Sequence, residues 1–228
     1  MPEQLIQFAV NGTPGSGFLV MPEGAGPFPA VVVIQEWWGL NEQIKGTARR
    51  FAEQGYITLA PDLYHGRVVS EPNEAQKEAM NLDRPRAVQE IVGAVSFLKA
   101  HDAVTPKKIG IVGFCMGGGL TLAAANATQD LGAAVAFYGG GAPDVDAFAQ
   151  NKAAILNLCG EKDDWVTNNI QALDASFTER GYSFPHSLVV YPGAQHAFFN
   201  ERRPEVYDPA ASTDAFARAL GWFKEYLV

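Results

Sequence analysis

A chain of 228 residues, 47% apolar and 18% charged, can bury a sizeable core and falls outside the disordered and coiled-coil classes, so one domain is expected. Its formal net charge of −8, with no local run of Lys or Arg, repels phosphate backbones and argues against nucleic acid as a partner. No stretch reaches membrane-spanning length without polar interruption, Met1 to Val10 lacks an export pattern, and two cysteines are too few for a secreted disulfide framework. The expectation is a cytoplasmic protein, monomeric or weakly homo-oligomeric, without a membrane partner.

Along the chain, short runs rich in β-branched residues alternate with longer amphipathic segments, the pattern of a mostly parallel sheet covered by helices on both faces. Strands are predicted at Leu5 to Val10 and Gly17 to Met21, an antiparallel pair joined by the turn-rich Asn11-Gly12-Thr13-Pro14-Gly15. Further strands follow at Ala30 to Gln35, Ile57 to Ala60, Lys108 to Gly113, Gly132 to Tyr138, Ala154 to Cys159 and Ser187 to Tyr191. Helices are predicted at Asn41 to Gln54, Glu71 to Asn81, Arg84 to Ala100, Met116 to Thr128, Thr167 to Arg180 and Pro209 to Leu227. The loop Tyr64 to Ser70 is a candidate pocket wall. Eight strands in this arrangement suit an α/β-hydrolase, although periodicity alone equally allows a flavodoxin-like sheet.

The chemistry concentrates where strands end. Gly113-Phe114-Cys115-Met116-Gly117-Gly118 follows a strand and opens an Ala-rich helix, the context of a nucleophile elbow. A sharp strand-to-helix turn needs small neighbours, which Gly113 and Gly117 supply. The helix N-terminus favours negative charge on Cys115 and offers the N–H of Met116 to an oxyanion. The segment lacks the spacing of a dinucleotide loop and the Lys-Ser or Lys-Thr pair of a Walker loop.

An elbow nucleophile in this fold is followed by an acid and then a histidine, each after a later strand. Cys159-Gly160-Glu161-Lys162-Asp163-Asp164 places Asp163 or Asp164 at the carboxyl edge of the sheet, and Tyr191-Pro192-Gly193-Ala194-Gln195-His196 brings His196 to the same edge. His65, His101 and His186 fit this order less well. Gln35-Glu36-Trp37-Trp38-Gly39 ends an early strand where the fold supplies its second oxyanion donor, assigned to the N–H of Trp37. Glu36, at the end of an apolar strand, should be partly desolvated and suited to holding a proton near the thiol.

Together these residues resemble the dienelactone hydrolase family. Its elbow G-x-C-x-G-G matches Gly113 to Gly118, Q-E-x-x-G matches Gln35 to Gly39, and P-D-L-Y matches Pro61 to Tyr64. The acid motif G-x-x-D-x-x-V matches Gly160 to Val166, and Y-P-G-x-x-H matches Tyr191 to His196. The resemblance implies that Asp163 is the triad acid and that Glu36 contacts the thiol and helps to make the thiolate when substrate arrives. Family members hold a substrate carboxylate with two arginines. Arg67 answers the first with one residue of offset, whereas the second position is Asn200, with Arg202 and Arg203 nearby.

The sequence thus predicts hydrolysis of a small-molecule ester or lactone through Cys115, His196 and Asp163, with no metal or organic cofactor. Arg67, Tyr64, Trp38 and Phe198 are the expected substrate contacts. The rival reading is a broader carboxylesterase on small aryl or alkyl esters, favoured by Asn200 and by the aromatic residues around the motifs. A non-catalytic ligand-binding module is the third.

Overall fold

The structure, a computed structural model, describes residues 1–141 and 143–227. Strands β1 (Glu3–Phe8), β2 (Gly15–Val20), β3 (Ala30–Ile34), β4 (Ile57–Pro61), β5 (Ile109–Phe114), β6 (Leu131–Phe137), β7 (Ala154–Gly160) and β8 (His186–Tyr191) form one sheet in the order β1-β2-β4-β3-β5-β6-β7-β8. The β1–β2 and β2–β4 pairs are antiparallel, and the rest are parallel. A flavodoxin-like sheet would run 2-1-3-4-5. The observed order is that of an α/β-hydrolase.

Burial explains which strands lie where. Every residue of β3, β5 and β7 is buried, because parallel central strands are covered on both faces. The first five residues of β1 are exposed or only half-buried, as suits an edge with one face in solvent. Helices α1 (Glu42–Glu53) and α6 (Pro209–Tyr226) cover one face, where Ile44, Ala48, Phe51 and Phe223 pack with Val31, Val33 and Val135. Helices α3 (Arg84–Ala100), α4 (Met116–Ala127) and α5 (Asp164–Glu179) cover the other, where Ile91, Leu122 and Phe177 join Val32, Ile111 and Ile155. Each large apolar side chain so buried contributes about 1.5–3 kcal/mol before its entropy cost. Helix α2 (Pro72–Asn81) buries only Ala75 and lies on the surface. Among the described residues no helix is long and apolar enough to cross a membrane.

Caps fix where several helices start. Asn41 accepts from Ile44 N at α1, Asp83 from Arg86 N at α3 and Asp208 from Ala210 N and Ala211 N at α6, each satisfying an otherwise unpaired N–H. Most element ends lie within a residue of expectation; the larger departures are both ends of β1, the start of β2, at Gly15 rather than Gly17, and the start of α5. Strand β1 begins at Glu3 and stops at Phe8, because its register against β2 pairs Phe8 with Gly15 and leaves residues 9–14 to the turn. Helix α5 begins at Asp164, earlier than Thr167, for a reason that belongs to the site.

Candidate active site

The elbow forms where β5 hands over to α4. Cys115 has φ 55° and ψ −118°, a left-handed conformation that costs a non-glycine residue about 1–3 kcal/mol and persists only where its surroundings enforce it. Here Cys115 N donates to Phe137 O at 3.0 Å, and Gly118 N donates to Cys115 O at 2.9 Å. Close packing excludes side chains around the turn, since a Cβ on Gly117 would stand 2.4 Å from Gln35 O. This contact presses the elbow against the end of β3. Cys115, half-buried, opens into a cavity of about 120 Å³ lined by Glu36, Trp37, His196, Ala197 and Arg203. Gly118 N and Gly119 N turn back to Cys115 O and no side chain caps α4, which leaves its first N–H, that of Met116, suited to an oxyanion.

The acid and the histidine are carried on adjacent strands. Asp163 occupies the cap position of α5 yet makes no side-chain bond to that helix; its Oδ2 lies 2.5 Å from His196 Nδ1. Asp164, by contrast, is exposed in the first turn, so the acid that reaches the ring is Asp163. Hidden inside a run of charged residues, this diverted cap is what displaced the predicted start of the helix. The two loops are bound by their backbones: Glu161 N donates to Tyr191 O at 3.0 Å and Lys162 N to Ala194 O at 2.9 Å. A Cβ on Gly160 would lie 2.6 Å from Ala194 O, so glycine is what lets them approach.

Burial alone would lower the pKa of His196, but polar contacts with Asp163 and Cys115, the negative charge of Asp163 and that of Cys115 when its sulfur is ionised outweigh it and push it up to about 10. Glu36 lines the same cavity. Its carboxylate is buried, with Tyr138 Oη donating to Oε1 at 3.1 Å and Asn200 Nδ2 donating to Oε2 at 2.7 Å. Burial raises its pKa, only partly offset by those two hydrogen bonds and by the charges of His196 and Arg203.

The model of the dienelactone hydrolase family matches residues 16–227 of this chain. The chain belongs to that family. It is 38% identical to "Protein usf" of Aquifex pyrophilus over 98% of this chain and 99% of that protein. It is 36% identical, over 98% and 99%, to a "Putative carboxymethylenebutenolidase" of Aquifex aeolicus. The fold superposes with a TM-score of 0.88 on a crystal structure of a "Putative Dienelactone Hydrolase" from Klebsiella pneumoniae, 27% identical and covering 99% of both chains. Dienelactone hydrolases are hydrolases of lactones and esters.

Within this dienelactone hydrolase family member, the cavity gathers Glu36, Trp37, Cys115 and His196 but not the residues expected to contact substrate. Arg67 is half-exposed and pairs with Glu78 of α2 at 2.8 Å, so its charge is turned outward. Phe198 is fully buried against Phe137, Tyr138 and Tyr191, because the loop after His196 folds back onto the sheet and makes it core. Trp38 packs edge-on against Trp37 at 5.2 Å and accepts Val69 N at its carbonyl, which fastens the Tyr64 to Ser70 loop. Tyr64 lies behind the elbow, its hydroxyl 3.6 Å from Met116 Sδ, and lines a separate cleft of about 300 Å³ with His65 and Glu90. Arg203 is the cation at the cavity, its Nε donating to Glu205 Oε1 at 2.8 Å.

Sequence reasoning missed Tyr138 and read Asn200 only as a departure from the family pattern. Tyr138 carried one signal, its position at the end of an apolar strand run before three glycines. No such pattern announces that its hydroxyl reaches Glu36. Among the described residues no three His, Cys, Asp or Glu side chains converge as a metal site requires.

Proposed function

We propose that this chain hydrolyses carboxylic esters and lactones through a thioester on Cys115. The observation that carries the reading is the opening of Cys115, His196 and Glu36 into one small cavity at the carboxyl edge of the sheet. Cys115 Sγ, as thiolate, attacks the acyl carbon, and the carbonyl electrons move onto oxygen, held by the N–H groups of Trp37 and Met116. The carbon–oxygen bond to the leaving alcohol then breaks, and His196 Nε2 delivers the proton that the departing oxygen takes. In a lactone that hydroxyl stays attached to the acyl group.

The raised pKa of His196 bears on the second half. Two of its supports come from Cys115, and a thioester removes the negative charge on sulfur. The imidazole, having given up its proton, is then a competent base for the incoming water. Water loses a proton to Nε2, its oxygen bonds the acyl carbon, and Sγ departs as thiolate. Asp163 holds Nδ1 throughout and fixes the tautomer. Glu36 takes up the thiol proton when substrate enters.

A cavity of about 120 Å³ suits a compact acyl group, and Arg203 in its wall is placed to meet a substrate carboxylate in the role first expected of Arg67. The second reading, a carboxylesterase of small neutral esters, is favoured by the neutral Asn200 beside Glu36. Iodoacetamide labelling read by mass spectrometry tests the chemistry. Inactivation should track one adduct on Cys115, because Cys159 is fully buried and burial pushes its thiol up to about 12. An inactivating adduct on Cys159 alone would overturn the reading.

A further inference from the structure

Tyr138 has three properties that packing alone does not require of a residue closing a strand. It is a non-glycine residue with φ 38°, it is fully buried, and its hydroxyl is spent on the buried carboxylate of Glu36. Its ring meets that of His196 edge-on at 5.1 Å, so one side chain touches both the acid and the base of the cavity. Across from it, Asn200 holds the second oxygen of Glu36. The orientation of that amide is fixed: Arg202 N donates to Asn200 Oδ1 at 3.0 Å, which turns Nδ2 toward Glu36. Asn200 is itself buried, and its backbone is tied by Asn200 N to Ala197 O at 2.9 Å and Arg203 N to Asn200 O at 3.0 Å.

We propose that Tyr138 and Asn200 are positioning residues, a neutral two-point clamp that aims Glu36 at Cys115 and, through the Tyr138 ring, ties its placement to that of His196. This rests on the reading that Glu36 handles the thiol proton. The clamp's neutrality is its chemical content. Two neutral donors orient a carboxylate without cancelling its charge, so a buried Glu36 stays ready to take a proton, whereas a cation at either place would hold it ionised. The groups facing Glu36 are Tyr138, Asn200, His196, Arg203 and Cys115, and of these only His196 and Arg203 bring positive charge.

The test is the pH profile of the acylation rate, measured by stopped flow on a chromogenic ester, for wild type, Tyr138→Phe, Glu36→Gln and the double variant. Losing one donor to the carboxylate makes proton release harder, so Tyr138→Phe should move the Glu36-dependent acid limb alkaline by roughly one pH unit, with deacylation little changed. In the Glu36→Gln background the same substitution should move nothing further. A Tyr138→Phe profile that coincides with wild type, while Glu36→Gln abolishes the limb, would overturn the clamp and leave Glu36 in its role. An acid limb intact in Glu36→Gln would instead remove the role of Glu36, and the clamp with it. Should Tyr138→Phe fail to fold, Asn200→Asp replaces the second donor at constant size and should move the limb in the same direction; no movement there sinks the proposal.

Discussion

Asp163→Asn separates a catalytic acid from a structural one, because this cap residue spends its side chain on His196 Nδ1 at 2.5 Å rather than on its own helix. A charge-assisted hydrogen bond of this kind is worth about 1.5–3 kcal/mol, and an amide in its place also lets an N–H face Nδ1, favouring the wrong tautomer. The two effects together correspond to a loss in kcat/KM of roughly 10²- to 10⁴-fold. Asp164→Asn is the internal control. That carboxylate is exposed in the first turn of α5, so its removal should cost about 0.3–1 kcal/mol of stability and leave turnover within about twofold. Initial rates on a chromogenic ester, paired with thermal melts followed by circular dichroism, give both numbers. Equal losses from the two substitutions, or an Asp163→Asn enzyme within roughly threefold of wild type, would refute the assignment.

Arg203→Ala should raise KM for lactones bearing a free carboxylate by roughly tenfold or more and leave neutral esters within about twofold, whereas Arg67→Ala, whose partner is Glu78, should leave both unchanged; paired kinetics on the two substrate types check this. His196 also predicts a pH dependence of stability. Its pKa lies near 10 in the folded chain against an ordinary 6.5, so its stabilising contribution is complete below about 6.5 and disappears as pH rises through about 10. With the side chain 36% exposed, solvent screening reduces that contribution to about 1–2 kcal/mol. Urea unfolding between pH 6 and pH 10.5 should show this alkaline loss in wild type and not in His196→Gln, and parallel curves would contradict it.

Most of the fold was legible because strands that position the site are uninterrupted apolar runs such as Ala30–Ile34 and Ile109–Phe114, whose stable place is the middle of a covered sheet. The short 3-10 helix at Val145–Gln150 was not, since six residues carry too little periodicity, although its Phe148 packs on Phe177 and Phe184. At the site, the chain order Cys115, Asp163, His196 could be read because each follows a strand and all reach one edge. Side-chain direction could not. Phe198 looks like a pocket aromatic until the turn at Ala197, φ 64°, folds it onto the sheet, and Arg67 looks like a substrate ligand until helix α2 presents Glu78 to it. Asn200 stands where family resemblance suggests arginine, and only the three-dimensional arrangement assigns it to Glu36.

The hydrogen bond between Asn200 and Glu36 closes a loop of 164 residues, and the cavity it borders takes Cys115 from β5 and His196 from beyond β8. A chain emerging from the ribosome therefore completes the turn at Cys115 long before His196 can join it. Contacts of such sequence separation form late and only when the intervening strands have found their places. Hydrolysis in this protein is thus a readout of the finished sheet. A fragment ending before β8 should carry a cysteine without turnover, and the regain of activity after denaturation should lag the regain of helical signal.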